Sequence, residues 1–280
     1  MTEYAPTGHR LGLCSVTFRH LTADEVARRA ADAGLEAVEW GADVHAPPQD
    51  PDAVRAVRAA TERAGLVCCS YGSYFRADPG ESASFPALAR AAVLLGAPRM
   101  RVWAGRSGSR ETGSSERRGT AARLREAALI AADHGVELSL EFHTGTLTDT
   151  VASTLRLLEE ADAPNLRTYW QPPLDSPDDE ALAGLAALAD RVSAVHVFSW
   201  WPGNHRLPLA ARDELWTGVF DLLRARGLRP DALLEFVPDN DPAVLSREAG
   251  TLRRAAADGP ARPAHPADAG ARARSPRRGT

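Results

Sequence analysis

The sequence contains no lysine, so each of its 33 basic residues is an arginine. Aldolases and pyridoxal enzymes that form a Schiff base need a lysine amine, and their chemistry is therefore excluded. The Walker-type phosphate loop also needs its lysine and is excluded for the same reason. Composition alone thus removes two large groups of enzymes.

Cysteine is scarce as well, with three residues at Cys14, Cys68 and Cys69. All three lie in apolar, strand-like runs. Such positions favour small core residues of a reduced cytoplasmic protein over disulfides or metal ligands.

Long apolar runs and a strong excess of charge are also missing. The start of the chain has no run typical of a signal peptide, and no segment approaches the length of a membrane span. The net charge of -4 gives no general attraction to nucleic acid or to a membrane surface. We therefore expect a cytoplasmic protein with a small-molecule substrate, and no nucleic-acid or membrane partner.

The 280 residues alternate between strand-like and helix-like segments. Eight such pairs, repeating about every thirty residues, predict a single-domain α/β protein, a (β/α)8 TIM barrel over residues 11–257. A doubly wound open sheet is the alternative, but it would usually carry a glycine-rich turn where Thr17-Phe-Arg-His20 stands. The predicted strands are 11–18, 35–40, 66–71, 99–103, 136–143, 166–171, 192–198 and 231–236.

Three segments are predicted to lie outside these elements. Residues 1–10 form a flexible leader, and residues 258–280 form a disordered tail of Ala, Pro, Gly and Arg. Residues 105–119, rich in Ser, Gly and charge, are either a passive surface loop or a mobile lid.

The fifth predicted strand carries a polar face that is unusual for a buried sheet. Its residues alternate strictly, with Leu138, Leu140 and Phe142 on one face and Glu141 and His143 on the other. Inside a barrel, such a face is either a satisfied polar layer or part of a site. Active sites of these barrels lie at the carboxyl ends of the strands.

Four successive strand ends carry residues that chelate metals: Glu141, Gln171, His196 and Glu235. Apolar neighbours on both sides of His196 and of Glu235 indicate that these two side chains point inward. Two carboxylates, an imidazole and an amide oxygen suit Mn²⁺, Mg²⁺, Co²⁺ or Zn²⁺, with positions left open for substrate.

Seven short motifs at these strand ends resemble the sugar phosphate isomerase/epimerase family of xylose isomerase-like TIM barrels, over Leu11 to Ala257. They are Ser15-Val-Thr-Phe-Arg19, Val38-Glu-Trp-Gly41, Arg101-Val-Trp103, Leu140-Glu-Phe-His143, Tyr169-Trp-Gln171, Val195-His-Val197 and Leu234-Glu-Phe236.

The resemblance implies a divalent metal ion, with Mn²⁺ first, held by Glu141, His196 and Glu235. Gln171 stands where the family usually has Asp, so it keeps an oxygen donor but removes one negative charge. Leu174 stands where tagatose epimerases have a His.

The function implied is a metal-dependent isomerase or epimerase of a sugar, sugar phosphate or polyol derivative, working through an enediolate. Glu141 and Glu235 would be its catalytic proton-transfer pair. A dehydratase acting on a cyclic polyol ketone is the alternative. A non-catalytic or partner-dependent barrel with a decayed site is the third interpretation.

Further side chains are candidates for binding the substrate or for supporting the ligands. Arg101 could pair with Glu39 or Glu141 or bind a substrate oxygen. His143 could hydrogen-bond a substrate hydroxyl or orient Glu141. The other candidates are Trp200, Arg206 and His45. Exposed apolar residues on the outer helices could support a homodimer.

Overall fold

The computed structural model describes residues 8–257, in which eight parallel strands close into a barrel. Each strand pairs with its neighbours in the chain, and the last pairs with the first. The predicted (β/α)8 barrel is confirmed. The strands are β1 (Leu11–Cys14), β2 (Ala37–Gly41), β3 (Val67–Gly72), β4 (Arg99–Val102), β5 (Glu137–Leu140), β6 (Leu166–Trp170), β7 (Val192–Val197) and β8 (Asp231–Leu234).

A helix follows every strand and covers the outside of the barrel. None of the helices in the described range is long and apolar enough to cross a membrane. Residues 1–7 of the predicted leader and the whole predicted tail, 258–280, lie outside the described residues. The helices are α1 (Ala23–Asp32), α2 (Pro51–Arg63), α3 (Phe85–Leu95), α4 (Ser114–Asp133), α5 (Val151–Ala161), α6 (Asp178–Leu188), α7 (Asp213–Ala225) and α8 (Leu245–Ala256).

The first helix begins with the capping box that its sequence predicts. The Thr22 hydroxyl accepts a hydrogen bond from the backbone N–H of Glu25, and the Glu25 carboxylate accepts one from the Thr22 N–H. Two N–H groups that the helix leaves unsatisfied thereby find partners.

Several predicted strands are too long at their carboxyl ends. The first was expected to reach Phe18, but Ser15–Phe18 forms a turn of 3-10 helix, in which the Ser15 hydroxyl accepts from the Gly41 N–H. The fifth was expected to reach His143, but β5 ends at Leu140. Alternation in sequence continues past the point where the backbone leaves the sheet for the site loops.

The prediction of a loop over residues 105–119 is wrong in its second half, because α4 begins at Ser114. Arg117, which looks like a surface charge in sequence, is buried in the first turns of this helix. Its guanidinium donates to the Glu160 carboxylate at 2.6 Å and to the Ser153 hydroxyl at 2.9 Å, which ties α4 to α5.

Two apolar clusters form the core. The larger lies between the strands and the ring of helices and contains the bulkiest buried side chains, including Trp40, Trp170 and Trp216. The smaller is formed by residues of six different barrel strands and of the turn after β1, and the partly buried Phe236 packs against it. Its buried members are Cys14, Val16, Ala37, Cys69, Tyr169, Ala194 and Leu233.

An ion-pair bridge joins three barrel strands at their amino ends. Arg99 donates to Glu137 at 2.9 Å and to Asp231 at 3.1 Å, linking β4 to β5 and to β8. The side chains of Arg99 and Asp231 are 15% and 11% exposed, so little water is left to solvate either charge. Removing either side chain would leave the charge of the other partly buried and without its nearest partner of opposite charge.

We expect Arg99→Met to lower the free energy of unfolding by about 2 kcal/mol, because two partly buried carboxylates lose their nearest basic partner. Urea denaturation at neutral pH measures the change. The matched control is Arg55→Met on α2, whose pair with Asp52 is 56% and 92% exposed and should cost about 0.5 kcal/mol or less. Equal effects of the two substitutions would contradict the role given to the bridge.

Candidate metal and substrate site

The structure brings the four predicted strand-end residues together around one nitrogen. His196 Nδ1 lies 2.9 Å from Gln171 Oε1, 3.3 Å from Glu235 Oε2 and 3.9 Å from Glu141 Oε1. The imidazole is fully buried within β7. Three oxygen donors and one nitrogen donor therefore converge at the carboxyl end of the barrel.

Backbone pairing holds the two carboxylates at this depth. The N–H of Glu141 donates to the carbonyl of Val102, and the N–H of Glu235 donates to the carbonyl of Val197. Both residues follow the last residue of their strands, so these bonds continue the ladder into the first residue of each loop. The side chains are thereby fixed over the barrel axis.

Glu141 is strongly held by hydrogen-bond donors. Its Oε2 accepts from Arg101 Nη1 and from Trp103 Nε1, the latter at 2.5 Å, while its Oε1 is the atom nearer His196. Burial alone would raise the pKa of this carboxyl, but Arg101, His196 and His143 together outweigh that effect and lower it.

Glu235 has a different environment. Within residues 8–257 the one basic side chain inside 4.0 Å of its carboxylate is the His196 ring, at 3.3 Å. Burial raises the pKa of its carboxyl; His196 lowers it by less, and the negative charge of Glu141 raises it further. The two carboxylates of the site are therefore unequal in basicity.

The residue after Glu235 has a strained backbone. Phe236 has φ of 54°, in the left-handed region that a bulky residue rarely adopts, and its N–H donates to the Thr17 hydroxyl at 3.0 Å. Strain of this kind is found where a site requires a fixed geometry.

Arg101 is buried between two acids. Its Nε donates to Glu39 Oε1 at 2.8 Å, and its Nη1 donates to Glu141. Glu39 Oε2 accepts from the Tyr169 hydroxyl at 2.9 Å. Burial would raise the pKa of the Glu39 carboxyl, but Arg101, His196 and Tyr169 together reverse this and lower it. Of the two partners expected for Arg101, it binds both.

The donor set fits a divalent cation. When Glu39, Glu141 and Glu235 are ionised, three buried negative charges face the single guanidinium of Arg101, which leaves two uncompensated. Buried charge of this kind requires a partner. Donors about 2.1 Å from a metal ion in octahedral geometry lie roughly 3 Å apart, close to the spacing around His196.

A cavity of about 200 Å³ opens above these donors. His143 lines it and stacks on Trp103 with ring centres 4.6 Å apart, while its Nδ1 is hydrogen-bonded to the carbonyl of Thr144 at 2.5 Å. The other ring nitrogen, Nε2, has no hydrogen-bond partner within residues 8–257. The other lining residues are Val16, Arg19, Tyr74, Arg101, Glu141, Gln171, Phe198, Trp200, Glu235 and Phe236.

Arg206 lies beside this cavity on the aromatic residues of its wall. Its guanidinium is 4.6 Å from the centre of the Phe236 ring and 5.7 Å from that of Trp200. Nη1 donates to the side-chain oxygen of Asn240 at 2.6 Å. Asn240 is neutral, so this bond leaves the positive charge of Arg206 available to an anion.

One predicted substrate contact lies elsewhere. His45 bonds the carbonyl of Leu21 at 3.0 Å, packs edge-on against Trp40 at 5.6 Å and does not line the cavity. Burial lowers the pKa of this histidine. Residues 105–119 also do not line the cavity, so the lining of the cavity does not support the interpretation of this segment as a lid.

Two functional candidates were missed in sequence. Trp103 lies two residues after Arg101, on the same face of the chain, and this spacing could have identified it. Cys14 was assigned to the core, and it is indeed buried in the smaller apolar cluster; its sulfur, one nitrogen of His196 and one oxygen of Glu235 also lie within 4.8 Å of one another. The sequence feature that could have identified Cys14 is its position on the face of β1 that points into the barrel.

Comparison with known proteins places this geometry in a family. The family sequence model described as "Xylose isomerase-like TIM barrel" matches residues 27–255. A curated 3-dehydroshikimate dehydratase from Bacillus anthracis is 30% identical over 171 residues, which span 56% of this chain and 60% of that protein. The matched region is therefore less than two thirds of that relative's length.

Solved structures agree with the fold. A probable 3-DHS dehydratase from Bacillus anthracis has a TM-score of 0.73 at 22% identity, over 87% of this chain and 98% of that one. The 3-keto-D-glucoside 4-epimerase of E. coli has a TM-score of 0.69 at 19% identity, over 88% and 99%. At these identities the likeness extends to the fold alone. Since the family match covers most of the sequence, this chain belongs to the xylose isomerase-like TIM barrel family.

Proposed function

We propose that this chain is a divalent-metal-dependent lyase that removes water from a hydroxylated cyclic ketone. The observation that carries the proposal is the inequality of its two site carboxylates. The relative that shares 30% identity is named a 3-dehydroshikimate dehydratase, which makes 3-dehydroshikimate the first substrate to test.

The inequality favours elimination because only one carboxylate is suited to act as a base. Two donors hold Glu141 Oε2, so the negative charge of this group is stabilised and its affinity for a proton is low. Glu235 lacks such donors within the described residues and is the stronger base. An epimerase that works on both faces of one carbon needs two comparable groups, whereas elimination needs one base and one acid.

Glu141, Gln171, His196 and Glu235 are the residues that would hold the cation. When bound, a divalent cation polarises a substrate carbonyl and acidifies the neighbouring C–H bond. The indole N–H of Trp103 and the guanidinium of Arg101 keep Glu141 in its ionised form.

The proton transfers are assigned to Glu235 and His143. The Glu235 carboxylate takes the proton from the carbon next to the carbonyl, and the electron pair of that C–H bond forms the new double bond as the C–O bond of the β-hydroxyl breaks. The imidazolium of His143 gives a proton through Nε2, and the hydroxyl leaves as water. The proton on Glu235 then returns to His143 through solvent.

Substrate binding is assigned to the aromatic wall and to Arg206. Trp200 and Phe236 line the cavity, and a flat six-membered ring can pack on an aromatic side chain. Arg206, held over these rings, can pair with a carboxylate on the same substrate.

An isomerase or epimerase of a sugar derivative is the second candidate function. Glu141 and Glu235 both line one cavity, so both could reach the same substrate. In that case Glu141 must accept and release a proton, although hydrogen bonds from Arg101 and Trp103 stabilise its ionised form.

The first experiment supplies the full chain with Mn²⁺, Co²⁺ or Zn²⁺ and with 3-dehydroshikimate. Loss of water from this hydroxylated cyclohexenone completes an aromatic ring, so we expect a new ultraviolet absorbance and a product lighter by one water in the mass spectrum. A product that has lost no water, and that carries solvent deuterium at the carbon next to the carbonyl when the reaction is run in D2O, would contradict the lyase assignment and favour the epimerase.

We expect Glu235→Gln to lower kcat by about 10²- to 10⁴-fold, because the amide cannot accept the proton. The control is Glu126→Gln on the exposed face of α4, which should leave kcat unchanged. Circular dichroism checks that both variants are folded. A Glu235→Gln enzyme with full activity would exclude this residue as the base.

We expect Arg206→Gln to raise KM for a carboxylate substrate by roughly tenfold to a hundredfold, since a charge-assisted bond is lost. The same substitution should have little effect on the methyl ester of that substrate. Arg226→Gln, at an exposed position after α7, is the matched control. An equal rise in KM for the acid and for the ester would show that Arg206 does not bind the carboxylate of the substrate.

A further inference from the structure

Cys14 occupies a central position that the proposed reaction does not use. It is the last residue of β1 and pairs in register with Glu39 on β2. On the other side, Leu13 pairs with Leu234 on β8, so Cys14 lies level with Glu235. The side chain of Cys14 is fully buried, inside the barrel rather than among the helices.

The thiol lies in a group of three donor types. The Cys14 sulfur, one ring nitrogen of His196 and one carboxylate oxygen of Glu235 are all within 4.8 Å of one another. A second, independent observation is the state of the Glu235 carboxylate. Its side chain is buried and accepts no hydrogen bond from any residue within 8–257. A buried carboxylate without hydrogen-bond donors is costly and points to a missing ligand.

We propose that Cys14 contributes a thiolate donor to the divalent cation held by His196 and Glu235. The inference rests on the proposed metal site and is independent of whether the reaction is elimination or epimerisation. On binding, a sulfur–metal bond forms, the S–H bond breaks and the thiol proton is released to solvent.

A thiolate at Cys14 would replace the negative charge that is missing at Gln171, the residue that follows β6. Gln171 stands where the family resemblance implies an Asp, so the oxygen donors include only two anionic groups, Glu141 and Glu235. A thiolate from β1 supplies a third. Thiolate is a soft ligand, so the site should prefer Zn²⁺ or Co²⁺ to Mg²⁺ or Mn²⁺. That preference departs from the manganese expected from the resemblance.

The test uses the full chain, stripped with a chelator and titrated with Co²⁺ alone. Cobalt bound by thiolate shows a sulfur-to-metal charge-transfer band in the near ultraviolet in addition to its visible bands. The chain has three cysteines, so the Cys68→Ser, Cys69→Ser double variant leaves Cys14 as the one thiol. We expect wild type and double variant to give the same charge-transfer band.

Cys14→Ser should lose the charge-transfer band, keep the visible bands and bind cobalt at least about tenfold more weakly. This is the lower end of the loss reported for changes around a metal ligand. If Cys14→Ser fails to fold, the double variant still decides the question.

Visible cobalt bands without the charge-transfer band in wild type would overturn the role of Cys14 and leave the metal site intact. Failure of the wild type to bind any cobalt would overturn the metal site itself, and this inference with it. A charge-transfer band that disappears in the double variant would assign the sulfur to Cys68 or Cys69 and also overturn the proposal.

Discussion

The site depends on the buried ion pairs of Arg101. This guanidinium bonds Glu39 on one side and Glu141 on the other, at a depth where none of the three groups is solvated. A buried charge is tolerated only when its partners are in place, so each of these residues fixes the position of the others. The same contacts give Glu141 a lower proton affinity than Glu235, which is the proposed base. The chemical asymmetry of the site thus originates in one arginine.

The barrel supplies the rest of the geometry. Parallel strands end at a common edge, and closure brings β5, β6, β7 and β8 around one axis. Residues far apart in sequence therefore present their donors to the same small volume. At the opposite end of the strands, Arg99 joins β4, β5 and β8 through its two acids. The amino ends carry this bridge, and the carboxyl ends carry the candidate chemistry.

Sequence reasoning predicted the parts of this arrangement that follow from alternation and spacing. The eight strands and the convergence of Glu141, Gln171, His196 and Glu235 are of this kind. The strand ends were placed too late because alternation persists into the loops. The start of α4 and the position of His45 depend on tertiary partners, Glu160 in one case and Leu21 in the other. The nearness of Cys14 to His196 depends on barrel stagger, which one strand does not reveal.

The measurement that tests this account most directly is metal content by elemental analysis of protein purified without chelator. We expect close to one divalent ion per chain in the wild type, and strong loss in both His196→Ala and Glu235→Gln. The surface variant Arg55→Met serves as the control and should keep its metal. A folded wild type that holds no divalent ion, even when ions are supplied in excess, would contradict the central claim that these strand ends form a metal site.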